Sequence, residues 1–295
     1  MLVVTHNGVF HADEIFSLAM LKVIFEDINI IRTRDMEVIN NGDIVVDVGG
    51  IYDTKNLRFD HHQRGFEFKR DGNEVKYSSF GLTFEHFHKE LFKKLNIKEK
   101  HFERIFYSVD KELVQQIDAH DNGELEVKSC NKNNGEYIAV NTLSNAISVF
   151  NSLNNEGFYK AIEFAQIILT QSIYRSYEFI EAEEYIAEQY KNSTDERILV
   201  LEKFYPFQSV INKLEFNEIC FVIFPDKVNG WRVQTVKDGF KNKVDLPKEW
   251  GGLEKDELKA VSNIEDIIFC HKGLFIAGAE SKESALKIAN ISLLG

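Results

Sequence analysis

The chain opens on a short apolar run, Leu2-Val3-Val4, that passes directly into Thr5-His6-Asn7-Gly8-Val9-Phe10-His11-Ala12-Asp13-Glu14. A β-branched run, a glycine and an acidic first turn read as strand, tight loop and helix start. Two imidazoles and two carboxylates therefore fall within nine residues at a junction that must pack near a core. Burying them is costly unless they are paired or bound, and a divalent cation takes nitrogen and oxygen donors together. Later stretches offer matching donors: Asp47 ending Ile44-Val45-Val46, the triplet Asp60-His61-His62, and Asp118 with Asp121 in Ile117-Asp118-Ala119-His120-Asp121-Asn122-Gly123. Their convergence on a two-metal hydrolytic site is the expectation.

The intervening pattern fits that convergence. Strands are expected over 1–5, 28–31, 43–48 and 57–59, with a helix over 12–25 and another beginning at Ser78-Ser79. Alternation of this kind predicts an α/β fold with a mostly parallel sheet flanked by helices, whose ligands sit at the carboxyl ends of the strands. His6, Asp47 and the Asp60–His62 triplet all fall at such ends. The amides opening the Ser78-Ser79 helix could hold a phosphate, or the serine could be a simple cap. A helix from about 102 stops at Asn122-Gly123, and helices are expected over 142–153 and 157–191. After Asn192 short strands over 197–201, 218–224, 231–236, 267–270 and 274–277 surround a helix at 254–260 and precede one from Lys282. The division is thus residues 1–192 for a catalytic metal-binding domain and 193–295 for a smaller α+β C-terminal domain.

Composition limits the partners. The net charge is −12 over 295 residues, which disfavours a broad groove tracking duplex DNA, although bound cations would reverse the sign locally for a short anionic substrate. The lysines 89, 93, 94, 98 and 100 interleave with Glu90, Glu99 and Glu103 and read as a solvated face. No run is long and apolar enough to span a membrane, and the first basic residue is Lys22, unlike a secretory leader. The three cysteines are an odd number: Cys220 and Cys270 lie in apolar runs and Cys130 in a polar loop, so reduced thiols and a cytoplasmic protein are expected. None lies in the His/Asp motifs, which favours an open site for Mn, Mg, Fe or Zn over a closed structural zinc site. The inventory His6, His11, Asp13, Asp47, His61 and Asp121 meets the demand of two ions bridged by a carboxylate. His62 is left to face the substrate.

These residues resemble a known family. Asp60-His61-His62, with the earlier His/Asp cluster and the later Asp, is similar to the DHH phosphoesterase superfamily. More closely, Thr5 to Glu14, Ile44-Val45-Val46-Asp47-Val48-Gly49-Gly50, Arg58-Phe59-Asp60-His61-His62-Gln63-Arg64-Gly65-Phe66 and Ser78-Ser79-Phe80-Gly81-Leu82 resemble the Myg-type family, named for a melanocyte proliferating gene. Trp231-Arg232-Val233-Gln234, Leu246-Pro247-Lys248-Glu249-Trp250 and Phe269-Cys270-His271 extend the likeness over nearly the whole chain. The resemblance implies a DHH-like fold and metal-dependent hydrolysis, with 3′ to 5′ RNA exonucleases among the eukaryotic members. It further implies that His6, His11 and Asp47 hold one ion and Asp13, Asp47, His61 and Asp121 the other, with Mn2+ the ion implied and Mg2+ or another divalent ion an alternative. Asp47 and His62 are the catalytic pair it implies, and the second domain would close over the first with Arg232, Gln234 and His271 toward the substrate. One departure stands out: where superfamily relatives carry a glycine-rich segment ending in His, this chain has Phe275-Ile276-Ala277-Gly278-Ala279-Glu280.

Three activities compete at this point: a nuclease for short RNA or oligonucleotides, a phosphatase or pyrophosphatase for small molecules, and a metal-loaded regulatory protein without turnover. The sequence leaves the oligomeric state open.

Overall fold

The computed structural model describes residues 1–125, 129–130, 137–138 and 140–294. The chain divides into two compact units, 1–177 and 178–295, the change falling inside a long helix. The side chain of Cys130 lies outside the described residues.

The first unit is built on β1 (Leu2–Thr5), β2 (Asn29–Arg32), β3 (Ile44–Val46), β4 (Tyr52–Asp53) and β5 (Arg58–Phe59), in the order β2-β1-β3-β5-β4. β1 pairs in parallel with β2 and β3, and β3 in parallel with β5. β4 runs antiparallel to β5, so the sheet is mixed, where the sequence predicts a mostly parallel one. The cause is local. Asp53 Oδ1 accepts the amide of Lys55 at 2.9 Å and Leu57 sits at φ 53°, which turns the chain back within a few residues, and a connection that short can only be antiparallel.

Alternate strand residues explain the two layers. Val4 and Val45 pack with Ile39 of α2 (Met36–Asn40), a helix too short to leave a periodic signal. Val3, Ile44 and Val46 point the other way and are fully buried on the side of α1 (Ala12–Ile24). α1 is buried nearly all round and lies against α3 (Ser79–Lys94), where the hydroxyls of Ser17 and Thr83 meet at 2.9 Å. The single helix expected from residue 102 is α4 (Phe102–Val109), a π-helical turn over Asp110–Val114, and α5 (Gln115–Asp121). The short pair β6 (Ser129–Cys130) and β7 (Tyr137–Ile138), then α6 (Leu143–Ser148), lead to α7 (Asn154–Lys191).

The second unit carries β8 (Ile198–Val200), β9 (Phe221–Pro225), β10 (Trp231–Thr235), the small hairpin β11 (Lys237–Asp238) and β12 (Lys241–Asn242), β13 (Ile267–Cys270) and β14 (Ile276–Ala279). Its main sheet has the order β13-β14-β10-β9-β8, antiparallel except for β8 with β9. One face, with Phe221, Ile223, Val233 and Ala277, buries Leu258 of α9 (Lys255–Ser262) and Ile288 of α10 (Lys282–Ser292). The other, with Leu199, Val222 and Phe224, meets Ile186 of α7 and Val210 of α8 (Phe207–Lys213). Cys270 is buried and Cys220 half-buried, both free thiols. Among the described residues no helix is long and apolar enough to cross a membrane.

Candidate metal centre

Three strand ends of the first unit deliver the site. β1 hands over to His6 and a loop whose Gly8 takes φ 95°, a conformation suited to glycine. Arg32 holds that loop: its guanidinium donates to the carbonyl oxygens of Gly8 (2.5 Å) and His6 (3.4 Å) and lies over the Phe158 ring at 4.3 Å. His6 Nδ1 donates to the Asn7 carbonyl at 3.0 Å, which turns Nε2 toward Glu14 Oε1 (2.8 Å) and Asp47 Oδ2 (3.4 Å). Glu14 also accepts the His11 amide at 2.9 Å, closing the first turn of α1. Asp13, one residue before, is anchored by Ser79, whose hydroxyl and amide donate to Oδ2 at 2.7 and 3.3 Å.

Asp47 follows β3 in a left-handed conformation, φ 56°, unusual for a residue with a Cβ. Backbone strain of this kind is retained where surrounding structure enforces it, commonly at functional sites. His61 Nε2 approaches Asp121 Oδ2 at 3.1 Å, Asp47 Oδ1 at 3.5 Å and Asp13 Oδ2 at 4.0 Å. His62 is turned outward, with its side chain 61% exposed. Its ring Nδ1 donates to Asp60 Oδ1 at 2.8 Å, and the other oxygen of Asp60 accepts the Gly50 amide at 2.6 Å. Asp60 thus orients His62 and ties down the loop after Asp47.

The electrostatics are severe. Burial raises Asp13, and the neighbouring charges of Asp47, Asp121 and Glu14 push it well above the usual carboxylate range. Burial also works against charge on His6 and His61, yet the carboxylates win and hold both at about 10, through Asp47 and Glu14 for the first and Asp121 and Asp47 for the second. Asp47 pays the desolvation of burial and is still drawn down to about 2 by His6 and His61. Even so, Asp13 Oδ1 and Asp47 Oδ1 remain buried without a hydrogen bond, and His61 Nε2 meets its carboxylates without hydrogen-bond geometry. Buried polar atoms are rarely left so, and three of them within one cluster of acids and imidazoles fit a cation. The donors fall into three overlapping groups able to hold a metal ion: His6, His11, Glu14 and Asp47; Asp47, His61 and His62; and His11, Asp13 and Asp121. A cavity of about 570 Å³ opens beside them.

All six residues expected as ligands, His6, His11, Asp13, Asp47, His61 and Asp121, therefore lie within these groups. Glu14 is the addition. Its signal is its place three residues after His11 in the same motif, at the acidic first turn that also reads as a helix start. Asp118 is the correction: it does not join the cluster. Its Oδ2 takes Arg70 at 2.6 Å, and its Oδ1 takes the Ser78 hydroxyl at 2.6 Å and the Gly81 amide at 3.0 Å. The two acids are neighbours on α5, yet Arg70 claims Asp118 while Asp121 reaches His61. The opening amides of α3 are likewise spent on Asp13 and Asp118, so no phosphate is held there.

In the second unit Arg232 and Gln234 share a face of β10, as their spacing predicts. Arg232 pairs with Asp226 at 2.9 Å and lies against the Phe269 ring, 5.3 Å from its centroid. His271 is exposed and accepts the Gly273 amide on Nδ1 at 3.0 Å. Residues 276–279 are β14, paired on both sides, which commits their backbone to the sheet.

The first unit's mixed sheet with its buried carboxylate–imidazole cluster defines an α/β protein with groups able to hold a metal ion. The chain belongs to the MYG1 exonuclease family: the family model, described as an uncharacterised protein family (UPF0160), matches residues 2–293. It is similar to the MYG1 protein of Dictyostelium discoideum, 31% identical over 98% of this chain and 95% of the relative. The MYG1 exonuclease of Homo sapiens is 32% identical, over 98% of this chain and 85% of the relative. The MYG1 protein YER156C of Saccharomyces cerevisiae is 32% identical, over 98% and 94%. No solved structure matches the chain at the same stringency.

Proposed function

We propose that this chain is a divalent-metal-dependent phosphoesterase, a 3′–5′ exonuclease trimming short RNA or oligonucleotides with two ions, Mn2+ before Mg2+. The observation that carries the reading is the set of buried donors Asp13 Oδ1, Asp47 Oδ1 and His61 Nε2, left without hydrogen bonds inside an eight-residue cluster of acids and imidazoles. The names borne by the mammalian relatives, MYG1 exonuclease, support the choice of substrate class.

In this reading His6, His11 and Asp47 would hold one ion, and Asp13, Asp47, His61 and Asp121 the other, with Glu14 completing the first group. Bound metal would supply an acidified water and neutralise charge on the phosphoryl oxygens. The chain's own residues do the rest. Ser79 and the αL turn fix Asp13 and Asp47 before substrate arrives. His62, raised by its hydrogen bond to Asp60, carries its proton outward and donates it from Nε2 to the leaving oxygen. Residues 193–295 would present Arg232, Gln234 and His271 to the rest of the substrate, and the free thiols suit a cytoplasmic setting. One observation favours a second reading: at net charge −12, a small-molecule phosphatase or pyrophosphatase would be better matched than an enzyme for long polyanions.

A 5′-labelled oligoribonucleotide incubated with Mn2+ tests both. A ladder shortening from the 3′ end is expected. Turnover of pyrophosphate or mononucleotides alone would reject the nuclease, and no turnover of any phosphoester would leave the regulatory alternative.

A further inference from the structure

Two arginines two residues apart behave in opposite ways. Arg32 is consumed, held by two carbonyls and two aromatic rings. Arg34 is exposed and, among the described residues, makes no ion pair, yet it lines the cavity of about 570 Å³ beside the metal centre. Its backbone is fixed. The Thr33 amide donates to the Thr5 carbonyl at 2.8 Å, and the Asp35 amide to the Thr33 hydroxyl at 3.0 Å. The Asp35 carboxylate, the nearest acid in sequence, caps α2 through the Glu37 amide at 2.9 Å. Arg34 therefore starts from the same edge of the sheet as His6, with its fork uncommitted.

Resting on the phosphoesterase reading, we propose that Arg34 is the phosphate anchor of a subsite for one nucleotide next to the scissile bond, taking a phosphate other than the one being cleaved. Three features of the cavity converge on that ligand. Its volume lies in the range of about 300–1,000 Å³ typical of small-ligand sites, which suits a mononucleotide and not a duplex. Its lining includes His6, His11, Asp47 and His62, so the scissile phosphate would sit at that end, while Arg34 is the one Lys or Arg among the lining residues. Val9, 66% exposed, and Val48 give an apolar wall for a base or ribose. A planar guanidinium takes a phosphate through two parallel hydrogen bonds, a geometry Lys does not reproduce.

The test is equilibrium binding to Mn2+-loaded protein of a phosphorothioate-linked diadenosine, with and without a terminal phosphate on its 5′ or 3′ side. Wild type should bind one phosphorylated form about tenfold or more tightly than the bare form, Arg34→Ala should bind both alike, and Arg34→Lys should fall between. Metal content, read by elemental analysis, should be the same in all three. A wild type without the preference, or an Arg34→Ala protein that keeps both its metal and the preference, would overturn the subsite. Hydrolysis of the unmodified diester by wild type is scored separately: if it is absent while the preference is present, the phosphoesterase reading falls and the anchor stands.

Discussion

The two regions singled out by sequence motifs solve the burial of polar side chains differently. Around Asp47 in the first unit, acids and imidazoles crowd together, shift one another's protonation, and still leave three buried atoms unsatisfied. Around Arg232 in the second, polar groups are exposed or paired: Arg232 with Asp226, His271 with the Gly273 amide. The first region keeps buried donors without hydrogen bonds, whereas the polar groups around Arg232 have their partners or reach solvent. The contrast separates residues that a fold tolerates from residues that a fold must have been built around.

The largest way to break the contrast is Asp47→Ala. Asp47 belongs to two of the three donor groups, so its loss should remove bound metal from both and abolish turnover, beyond the 10–100-fold that outer-shell losses cost. Elemental analysis after dialysis checks this. Arg70→Ala comes next. Arg70 makes a bidentate pair with Asp110, stacks on Tyr77 at 4.2 Å and reaches Asp118, which is fully buried. Removing it takes the paired cation from a buried carboxylate, leaving it the Ser78 hydroxyl and the Gly81 amide, and denaturant unfolding should show a loss of about 3–5 kcal/mol. Asp60→Asn should release His62 and the Gly50 turn and lower kcat by about 10–100-fold at nearly unchanged metal content.

Acidity gives a further, graded test. His6 and His61 are raised from 6.5 to about 10 by their carboxylates. A raised imidazole contributes stability below its unfolded pKa and loses it as pH climbs through the folded one. The thermal midpoint of chelator-treated protein should therefore fall between about pH 6.5 and 10, and added Mn2+ should restore it. The smallest effect belongs to the second region: Arg232→Ala breaks a partly exposed pair and should cost about 1 kcal/mol or less in stability.

What the sequence made legible follows the same division. His6, Asp47 and His61 were visible because they follow short strand-like runs, and a strand end at one edge of a sheet is a position that residue order alone can specify, whereas Asp121 showed as an acid just before the Asn122-Gly123 break. Glu14 was visible but ambiguous, since a carboxylate in a first helical turn has a sufficient local explanation. Asp118 was misplaced because its fate depends on Arg70, which lies 48 residues away and announces nothing by spacing. The π-helical turn at Asp110–Val114, just before α5, carries Asp110, the other acid that Arg70 pairs with. β4 and α2, at two and five residues, are too short for periodicity to register, and β4 alone changed the sheet from mostly parallel to mixed.

Crystals grown with Mn2+ and measured for anomalous scattering test the central claim most directly. Two peaks are predicted, both within bonding distance of Asp47, one toward His6 and one toward His61. A map with no peak among these side chains, or with its ions bound elsewhere on the chain, would contradict it.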